Sequence, residues 1–234
     1  MDCVSGHTFF PKFLHADSVV VDLGANKGAF SRSVSERYGC TCYAIEPNPE
    51  CFGELVGWSR VKPFNIAIAD REGTTSFFVA ANSEASSFAR TGANDREIQV
   101  TTMRLDDFAQ RERLRPIDLL KVDIEGAEVS LLDSLPDAFL QGIGQIAIEF
   151  HDFCGLVDKS DVERLVKRLE TLGFRSINFS KASHGHEDHL FVNQARCPVS
   201  GVQFALTKYL VKNAMGLRRI LRRSGIGRGA LAAT

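Results

Sequence analysis

The sequence predicts an α/β fold built on a doubly wound, mostly parallel β-sheet. Short apolar, β-branched runs alternate along the chain with segments of helical pattern, the order that gives a parallel sheet covered by helices on both faces. The first run ends in an acid followed by a glycine-rich turn, SVVVDLGANKG (18–28), as expected where a strand passes into a helix beside a ligand. The 234 residues, 44% of them hydrophobic, suffice for one well-filled domain. We place this domain at residues 1–200.

The first half of the chain contributes three strands to this sheet. They are predicted at 18–23, 42–46 and 61–69, because each is a short apolar run bounded by turn-forming residues. A helix over 29–38 follows the glycine turn. Residues 74–80 and 98–105 have strand character and predict an inserted strand pair. The polar stretch 81–97 between them is a candidate for a mobile lid.

The second half of the chain continues the alternation of strands and helices. Strands are predicted at 117–122, 143–150, 174–180 and 190–193, with a helix at 126–135 between the first two. A further helix is predicted to begin at a capping box formed by Ser160 and Glu163. An apolar stripe from Val162 to Leu172 follows, and Gly173 ends this helix.

Charge is distributed unevenly between the domain and the tail. Seven of the 28 basic residues and none of the 29 acidic ones follow Phe204, so residues 201–234 are predicted to be a basic amphipathic helix and tail. This helix could dock on the domain, in a homo-oligomer contact, or on an anionic surface. The overall net charge of −1 argues against bulk nucleic-acid binding.

The composition indicates a reduced, cytoplasmic protein. Six cysteines are scattered without C-x-x-C spacing, which favours free thiols over disulfides or a zinc site. The first residues lack the basic start and apolar run of a signal peptide. No apolar stretch is long enough for a transmembrane helix.

The glycine turn narrows the choice of ligand. A nucleoside triphosphate site would need Lys and Ser or Thr after Gly28, where Ala29 and Phe30 stand, and a nicotinamide site would need glycine in place of Asn26. S-adenosylmethionine carries ammonium and sulfonium charges instead of phosphates, and the acid before the turn, Asp22, suits those charges. Glu46 ends the second predicted strand, where a carboxylate can accept ribose hydroxyls, and Pro47 then turns the chain away.

Several motifs occur in one order along the chain: VVVDLGANKGAFS, AIEPNPE, NIAIAD, MRLDDF, LLKVDIEGAE and AIEFH. Over residues 15–195 the sequence thereby resembles the FkbM family of S-adenosylmethionine-dependent methyltransferases. The stretch KVDIEGAE (121–128) carries most of the resemblance, since the glycine turn alone is shared by many methyltransferases. Residues 1–14 and the basic tail have no counterpart in the resemblance.

The resemblance implies a class I methyltransferase fold, a Rossmann-like sheet of seven strands with a reversed final strand. It implies methyl transfer from S-adenosylmethionine to a small-molecule acceptor, most often to a hydroxyl oxygen of a sugar or natural product. It also implies which residues surround the cofactor: Asp22, Gly24, Asn26 and Gly28 at the methionine part, Glu46 and Pro47 at the ribose, and Asn65 to Ala67 near the adenine. A non-catalytic protein that keeps the fold and cofactor is the alternative.

The acids of KVDIEGAE lie beyond the carboxyl end of a buried strand, which explains why charges stand beside apolar runs. In the implied architecture Asp123 and Glu125 face the sulfonium methyl group. An alcohol needs a base to take its proton, and Asp123, Glu149 and His151 are the candidates. We favour His151, whose ordinary pKa of about 6.5 suits this role, or Asp123, with Glu149 orienting one of them. Lys121 is expected to form an ion pair with an acid or to position the acceptor.

A divalent metal could take over part of the base's role. Asp123 and Glu149 would offer hard oxygen ligands to Mg²⁺, although their spacing does not require a metal and none is expected. The loop SHGHEDHLF (183–191) holds three histidines and could form a zinc or iron site. A polar loop before the last strand is the simpler interpretation, and we prefer it.

Overall fold

A computed structural model gives the three-dimensional structure. It describes residues 1–79, 88, 95–114, 116–151, 158–179, 187–207 and 209. The strands are β1 Asp2–Val4, β2 His7–Phe9, β3 Val19–Leu23, β4 Thr41–Ile45, β5 Val61–Phe64, β6 Ala67–Ile68, β7 Gly73–Val79, β8 Arg96–Met103, β9 Ile117–Val122, β10 Ile143–Phe150, β11 Phe174–Asn178 and β12 Glu187–Asn193. The α-helices are α1 Ala29–Tyr38, α2 Pro49–Leu55, α3 Leu105–Arg111, α4 Glu128–Ser134, α5 Asp137–Leu140 and α6 Lys159–Thr171. A short 3₁₀ helix covers Pro11–Phe13, and residues 201–207 are helical.

In the part of the chain that the structure describes, seven strands form the central sheet in the order β11-β12-β10-β9-β3-β4-β5. The pairs from β10 through β9, β3 and β4 to β5 are parallel, whereas β12 runs antiparallel to both β10 and β11. Strand β12 is therefore inserted, in the reverse direction, between two strands that precede it in the chain. This arrangement confirms the predicted class I methyltransferase fold.

The two faces of the sheet bury two separate apolar cores. Neighbouring residues of one strand point to opposite faces, so that Val21 and Leu120 join one core and Val20 and Leu119 join the other. All four are completely buried, and burying a side chain of this size contributes about 1.5–3 kcal/mol. This two-sided burial explains why the strands read as continuous apolar runs.

Several predicted boundaries were wrong, among them the strand predicted at 190–193, which begins at Glu187, and the helix predicted at 126–135, which spans Glu128–Ser134. Three further corrections have a clear cause in the structure. The strand predicted at 61–69 is divided into β5 and β6, because β6 leaves the central sheet to pair with β8 in a three-stranded sheet with β7. The strand predicted to reach residue 105 ends at Met103, and α3 begins at Leu105. The helix predicted to begin at Ser160 is capped instead by Asp158, whose side chain accepts the Ser160 N–H.

An N-terminal hairpin, which the sequence pattern did not predict, packs against the central sheet. Strands β1 and β2 pair antiparallel, and β2 packs against β10. The fully buried Gln145 fixes the chain just after β2, because its Oε1 accepts the Phe10 N–H at 2.8 Å and its Nε2 donates to the Phe10 carbonyl at 3.2 Å. These contacts hold His7 near the carboxyl end of β10.

Several predictions fall wholly or partly outside the described residues. They concern most of the segment 81–97, the loop that carries His184 and His186, and the tail beyond residue 209. Within the described ranges, no helix is long and apolar enough to cross a membrane. The five described cysteines, Cys3, Cys40, Cys42, Cys51 and Cys197, are free thiols.

Candidate functional site

The carboxyl ends of β3, β4, β9 and β10 meet at one edge of the central sheet, where a cavity opens. Its wall is formed by the glycine turn after β3, the end of β4, strands β6 and β7, and the turn after β9. The lining residues are Gly24, Asn26, Glu46, Pro47, Ala67, Ile68, Phe77, Phe88, Asp123, Ile124 and Glu125. The cavity thus connects predicted cofactor residues with two predicted catalytic acids.

The two glycines of the turn are required by packing. Gly24 has φ +73°, and a Cβ there would overlap the carbonyl oxygen of Asp123 in the neighbouring turn. Gly28 has φ +78° at the start of α1, and a Cβ there would overlap the side chains of Leu55 and Trp58. Both positions therefore need glycine for the left-handed backbone and for close contact within the protein.

Asp22 lies beneath this turn and is completely buried. Its Oδ2 accepts a hydrogen bond from the Ser31 hydroxyl at 2.6 Å, and Lys121 Nζ lies 3.2 Å from its Oδ1. Lys121 also donates to the carbonyl oxygens of Leu23 (3.2 Å) and Gly24 (2.7 Å). These contacts fit a supporting role for Asp22 better than the direct contact with a cationic ligand that the sequence predicted.

Lys121 joins the glycine turn to the acid cluster. Besides Asp22, its ammonium group lies 3.4 Å from Asp123 Oδ2, and its side chain is only 4% exposed. Burial by itself would lower the pKa of Lys121, but Asp22 and Asp123 outweigh that effect and raise it. The predicted ion pair is therefore present, and Lys121 lies below the cavity wall.

Glu46 is held at the end of β4 by backbone groups. Its Oε2 accepts the Asn26 N–H and its Oε1 accepts the Asn48 N–H, both at 2.8 Å. Burial raises the pKa of Glu46, while these two N–H groups favour its charged form. The exposed Asn65 does not line the cavity, since its side-chain amide donates to the carbonyl oxygens of Glu46 and Pro47. Asn65 therefore braces the wall from outside.

The turn after β9 presents the acids of KVDIEGAE. Glu125 and Gly126 have φ +54° and +101°, so the chain turns sharply before α4. Glu128, the first residue of α4, is completely buried, and its carboxylate accepts the N–H groups of Gly126 (3.0 Å) and Ile124 (3.3 Å). Glu128 thereby holds the turn that carries Asp123 and Glu125 to the cavity.

His151 follows β10 and points into the same cluster. Its Nδ1 lies 2.8 Å from Glu128 Oε1, while its Nε2 lies 3.4 Å from Glu125 Oε2 and 3.7 Å from Asp123 Oδ1. Burial by itself would lower the pKa of His151, but the hydrogen bond to Glu128 and the charges of Glu125 and Asp123 raise it to about 9. The surrounding carboxylates therefore favour the protonated form of the imidazole when no other cation lies between them.

His7 approaches Asp123 from the opposite side. This histidine is 4% exposed, its Nε2 lies 3.4 Å from Asp123 Oδ2, and its ring packs edge-on against Phe30. One potential ligand atom each of His7, Asp123 and Glu149 lie within 4.8 Å of one another. The N-terminal hairpin therefore contributes a side chain to the cluster at the ends of β9 and β10.

The electrostatics of the cluster change the choice of base. Burial alone would raise the pKa of Asp123, but Lys121 and the two histidines hold that pKa well below its ordinary value. Burial raises the pKa values of Glu125 and Glu149. His151 and Asp123, which the sequence favoured as base, are thus shifted in the direction that makes each a poorer proton acceptor at neutral pH.

Residues 22–176 match the methyltransferase FkbM domain. This match covers more than half of the chain and includes the glycine turn, Glu46 and the acids of the β9 turn. The chain belongs to the FkbM methyltransferase family. Members of this family use S-adenosylmethionine as methyl donor, so the FkbM domain described here is an S-adenosylmethionine-dependent methyltransferase domain.

Three curated proteins illustrate the similarity of this FkbM domain to known enzymes. Methyltransferase 1 of Beauveria bassiana is 28% identical over 185 residues, which cover 68% of this chain and 72% of that protein. The 2-O-methyltransferase NoeI of Sinorhizobium fredii is 28% identical over 137 residues, 50% of this chain and 56% of NoeI. The hexuronic acid methyltransferase AglP of Haloferax volcanii is 28% identical over 163 residues, 66% of this chain and 63% of AglP. The matches to NoeI and AglP thus span less than two thirds of those proteins.

Two residues of the site were missed by sequence reasoning. Glu128 lies within KVDIEGAE but was given no role in the site, although its spacing from Glu125 places both acids in one turn of chain at the strand end. His7 precedes the FkbM match, and only the fold brings it to the cluster. The one indirect signal for the hairpin was Gln145, a polar residue inside an otherwise apolar strand, which needs a buried partner.

Proposed function

We propose that this protein transfers the methyl group of S-adenosylmethionine to a hydroxyl oxygen of a sugar or another small natural product. The observation that carries the proposal is the single cavity that connects the glycine turn and Glu46 with Asp123 and Glu125. A donor lying along β3 and β4 would direct its methyl group toward the acids after β9. The acceptor hydroxyl would then lie among Asp123, Glu125 and Glu149.

The walls near β4 and β6 suit the nucleoside part of the donor. Each Glu46 oxygen already accepts one backbone N–H, and a carboxylate oxygen has a second lone-pair site that can accept a ribose hydroxyl. Pro47, Ala67 and Ile68 continue the wall with apolar surface, against which an adenine ring can pack. Gly24 and Asn26 would contact the methionine part.

In the proposed reaction the acceptor oxygen attacks the methyl carbon while the carbon–sulfur bond breaks. The sulfonium becomes a neutral thioether, and the hydroxyl proton must leave to a base. We assign this role to Glu149, since burial raises its pKa and it lies next to Asp123 in the cluster. Asp123 and Glu125 would stabilise the positive charge of the bound donor, and His151, oriented by Glu128, would keep those two acids in place.

The printed activities of two relatives support an oxygen acceptor on a carbohydrate. NoeI is named a 2-O-methyltransferase and AglP a hexuronic acid methyltransferase. The carboxylates of Asp123, Glu125, Glu128 and Glu149 outnumber the cations Lys121 and His151 in this cluster, which favours a neutral hydroxyl acceptor over an anionic one. We therefore expect neutral sugars and polyols to be better acceptors than sugar acids.

A methyl-transfer assay with radiolabelled S-adenosylmethionine tests this proposal. A panel of neutral glycosides, sugar acids and hydroxylated natural products is incubated with wild-type protein and with Glu149→Gln. We expect label in a product that survives mild alkali, as a methyl ether does, and at least a ~100-fold loss of rate in the variant, the scale of general base catalysis. Label released by alkali would indicate a methyl ester and contradict hydroxyl methylation. Unchanged transfer by Glu149→Gln would contradict the assigned base.

A further inference from the structure

Asp123, Glu125 and His151 present three ligand atoms to one small volume. His151 Nε2 lies 3.4 Å from Glu125 Oε2 and 3.7 Å from Asp123 Oδ1, and one potential ligand atom of each residue lies within 4.8 Å of the other two. Two ligand atoms that each lie about 2.1 Å from one metal ion are about 3.0–3.4 Å apart in octahedral or tetrahedral geometry. A small contraction of this cluster would therefore place all three atoms at coordination distance.

The surroundings of His151 provide a second, independent indication. Its Nδ1 lies 2.8 Å from the fully buried carboxylate of Glu128, which leaves Nε2 directed at Asp123 and Glu125. Metal-binding histidines usually pass their second ring N–H to a carboxylate in this way, since that contact fixes the ring and its tautomer. Glu128 is itself held by the backbone N–H groups of Gly126 and Ile124, so the orientation of His151 is fixed before any ligand binds.

The charge balance of the cluster also favours a cation. Three carboxylates, those of Asp123, Glu125 and Glu128, surround the imidazole of His151. Lys121, the lysine nearest to Asp123, is already shared with Asp22 and with the carbonyl oxygens of Leu23 and Gly24. In the metal-free protein a proton on His151 supplies the positive charge that carboxylates this close together need, and a divalent cation would replace that proton on binding.

We propose that Asp123, Glu125 and His151 bind a divalent first-row transition metal such as Mn²⁺, with Glu128 as the residue that positions His151. An imidazole beside two carboxylates suits Mn²⁺, Fe²⁺ or Zn²⁺ better than Mg²⁺, which prefers oxygen ligands alone. This ligand set differs from the Asp123 and Glu149 pair that the sequence suggested for Mg²⁺. It leaves Glu149 outside the metal site.

The position of the site gives the metal a role that rests on the proposed function. Asp123 and Glu125 line the cavity, so an open coordination position would face the acceptor. A hydroxyl bound there would be oriented toward the methyl group and would lose its proton more easily, with Glu149 beside it.

Mn²⁺ binding to the 234-residue chain tests the site directly. After treatment with EDTA and dialysis, Mn²⁺ is titrated into the protein and free Mn²⁺ is followed by electron paramagnetic resonance. We expect one saturable ion per chain, and at least ~10-fold weaker binding for Glu125→Gln, His151→Gln and the positioning variant Glu128→Gln, the scale seen when ligands or their supporting groups are lost. The exposed residues His15 and Glu163 supply matched controls, and His15→Gln and Glu163→Gln should bind as wild type does.

Circular dichroism and S-adenosylhomocysteine titration of each variant show whether it is folded. A folded wild type that binds no Mn²⁺, or folded Glu125→Gln and His151→Gln variants that bind it with wild-type affinity, would overturn the metal site. Failure of the methyltransferase proposal has a different signature, namely absence of S-adenosylhomocysteine binding. The Mn²⁺ titration uses neither the cofactor nor an acceptor, so the two failures can be told apart.

Discussion

The two halves of the cavity are built by different means. At the ends of β3 and β4, backbone groups determine the structure: Gly24 fits against the Asp123 carbonyl, and the Glu46 carboxylate accepts two main-chain N–H groups. At the ends of β9 and β10, side-chain charges determine it, since His151 is surrounded by Asp123, Glu125 and Glu128. A rigid backbone frame suits a constant donor, and titratable side chains suit proton chemistry on an acceptor.

Lys121 connects the two halves of the cavity, and its loss should have the largest effect on the free energy of unfolding. The variant Lys121→Met leaves the buried carboxylate of Asp22 and the half-buried carboxylate of Asp123 without their shared cation, and removal of one partner from a buried ion pair costs about 3–5 kcal/mol. We expect the free energy of unfolding in urea to fall by about that amount. The exposed Lys27 provides the control, and Lys27→Met should change stability by less than about 0.5 kcal/mol. Equal effects of the two variants would show that Lys121 is not a structural link.

Gly24→Ala tests whether the turn depends on backbone packing. Gly24 and Gly6 both have positive φ, +73° and +88°, but a Cβ at Gly6 would meet no atom within 4 Å. Gly6→Ala should therefore show only the left-handed strain of about 1 kcal/mol, whereas Gly24→Ala adds overlap with Asp123 and should cost about 3 kcal/mol or more. Urea unfolding of both variants measures the difference. Similar costs would mean that conformation alone requires glycine at position 24.

The variant Glu46→Gln tests whether the half of the cavity at the ends of β3 and β4 binds the donor. The change replaces a carboxylate that accepts charge-assisted hydrogen bonds, each worth about 1.5–3 kcal/mol, so S-adenosylhomocysteine should bind about 10- to 100-fold more weakly. The exposed Glu54 is the matched control, and Glu54→Gln should bind the cofactor product normally. Calorimetry measures both affinities, and an unchanged affinity of Glu46→Gln would remove this residue from the donor site.

The titration of His151 is the prediction with the smallest expected effect, because it concerns a single side chain. Because its pKa is raised to about 9, the charged contacts stabilise the fold fully below the unfolded histidine pKa of about 6.5 and are lost as pH rises through 9. In metal-free protein, the NMR signal of the His151 ring should titrate near pH 9. In Glu128→Gln its midpoint should move down toward about 6.5. A wild-type midpoint already near 6.5 would contradict the proposed charge balance.

The fold could be predicted from sequence patterns that involve neighbouring residues only. The same holds for the half of the cavity at the ends of β3 and β4, the proposed donor side. The apolar runs that became β3, β9 and β10, the glycines of the turn and the acid that ends β4 each depend on neighbouring residues. The half of the cavity at the ends of β9 and β10, the proposed acceptor side, could be predicted only in part. Its acids were found from KVDIEGAE, but the position of His7 depends on a hairpin more than 100 residues away in sequence, held by Gln145. The ordinary pKa of histidine could not reveal the three carboxylates that surround His151 in the fold and raise its pKa, and the identity of the base stays a prediction.

The most direct test of the division between the halves is calorimetric titration of S-adenosylhomocysteine into wild type, Glu46→Gln and Glu149→Gln. We expect 1:1 binding to wild type, weaker binding to Glu46→Gln, and binding to Glu149→Gln within about twofold of wild type, since an acceptor-side base makes no contact with the donor. Equal loss of affinity in both variants would show that donor and acceptor functions are not separated along the sheet edge. Absence of binding to folded wild-type protein would contradict the methyltransferase function itself.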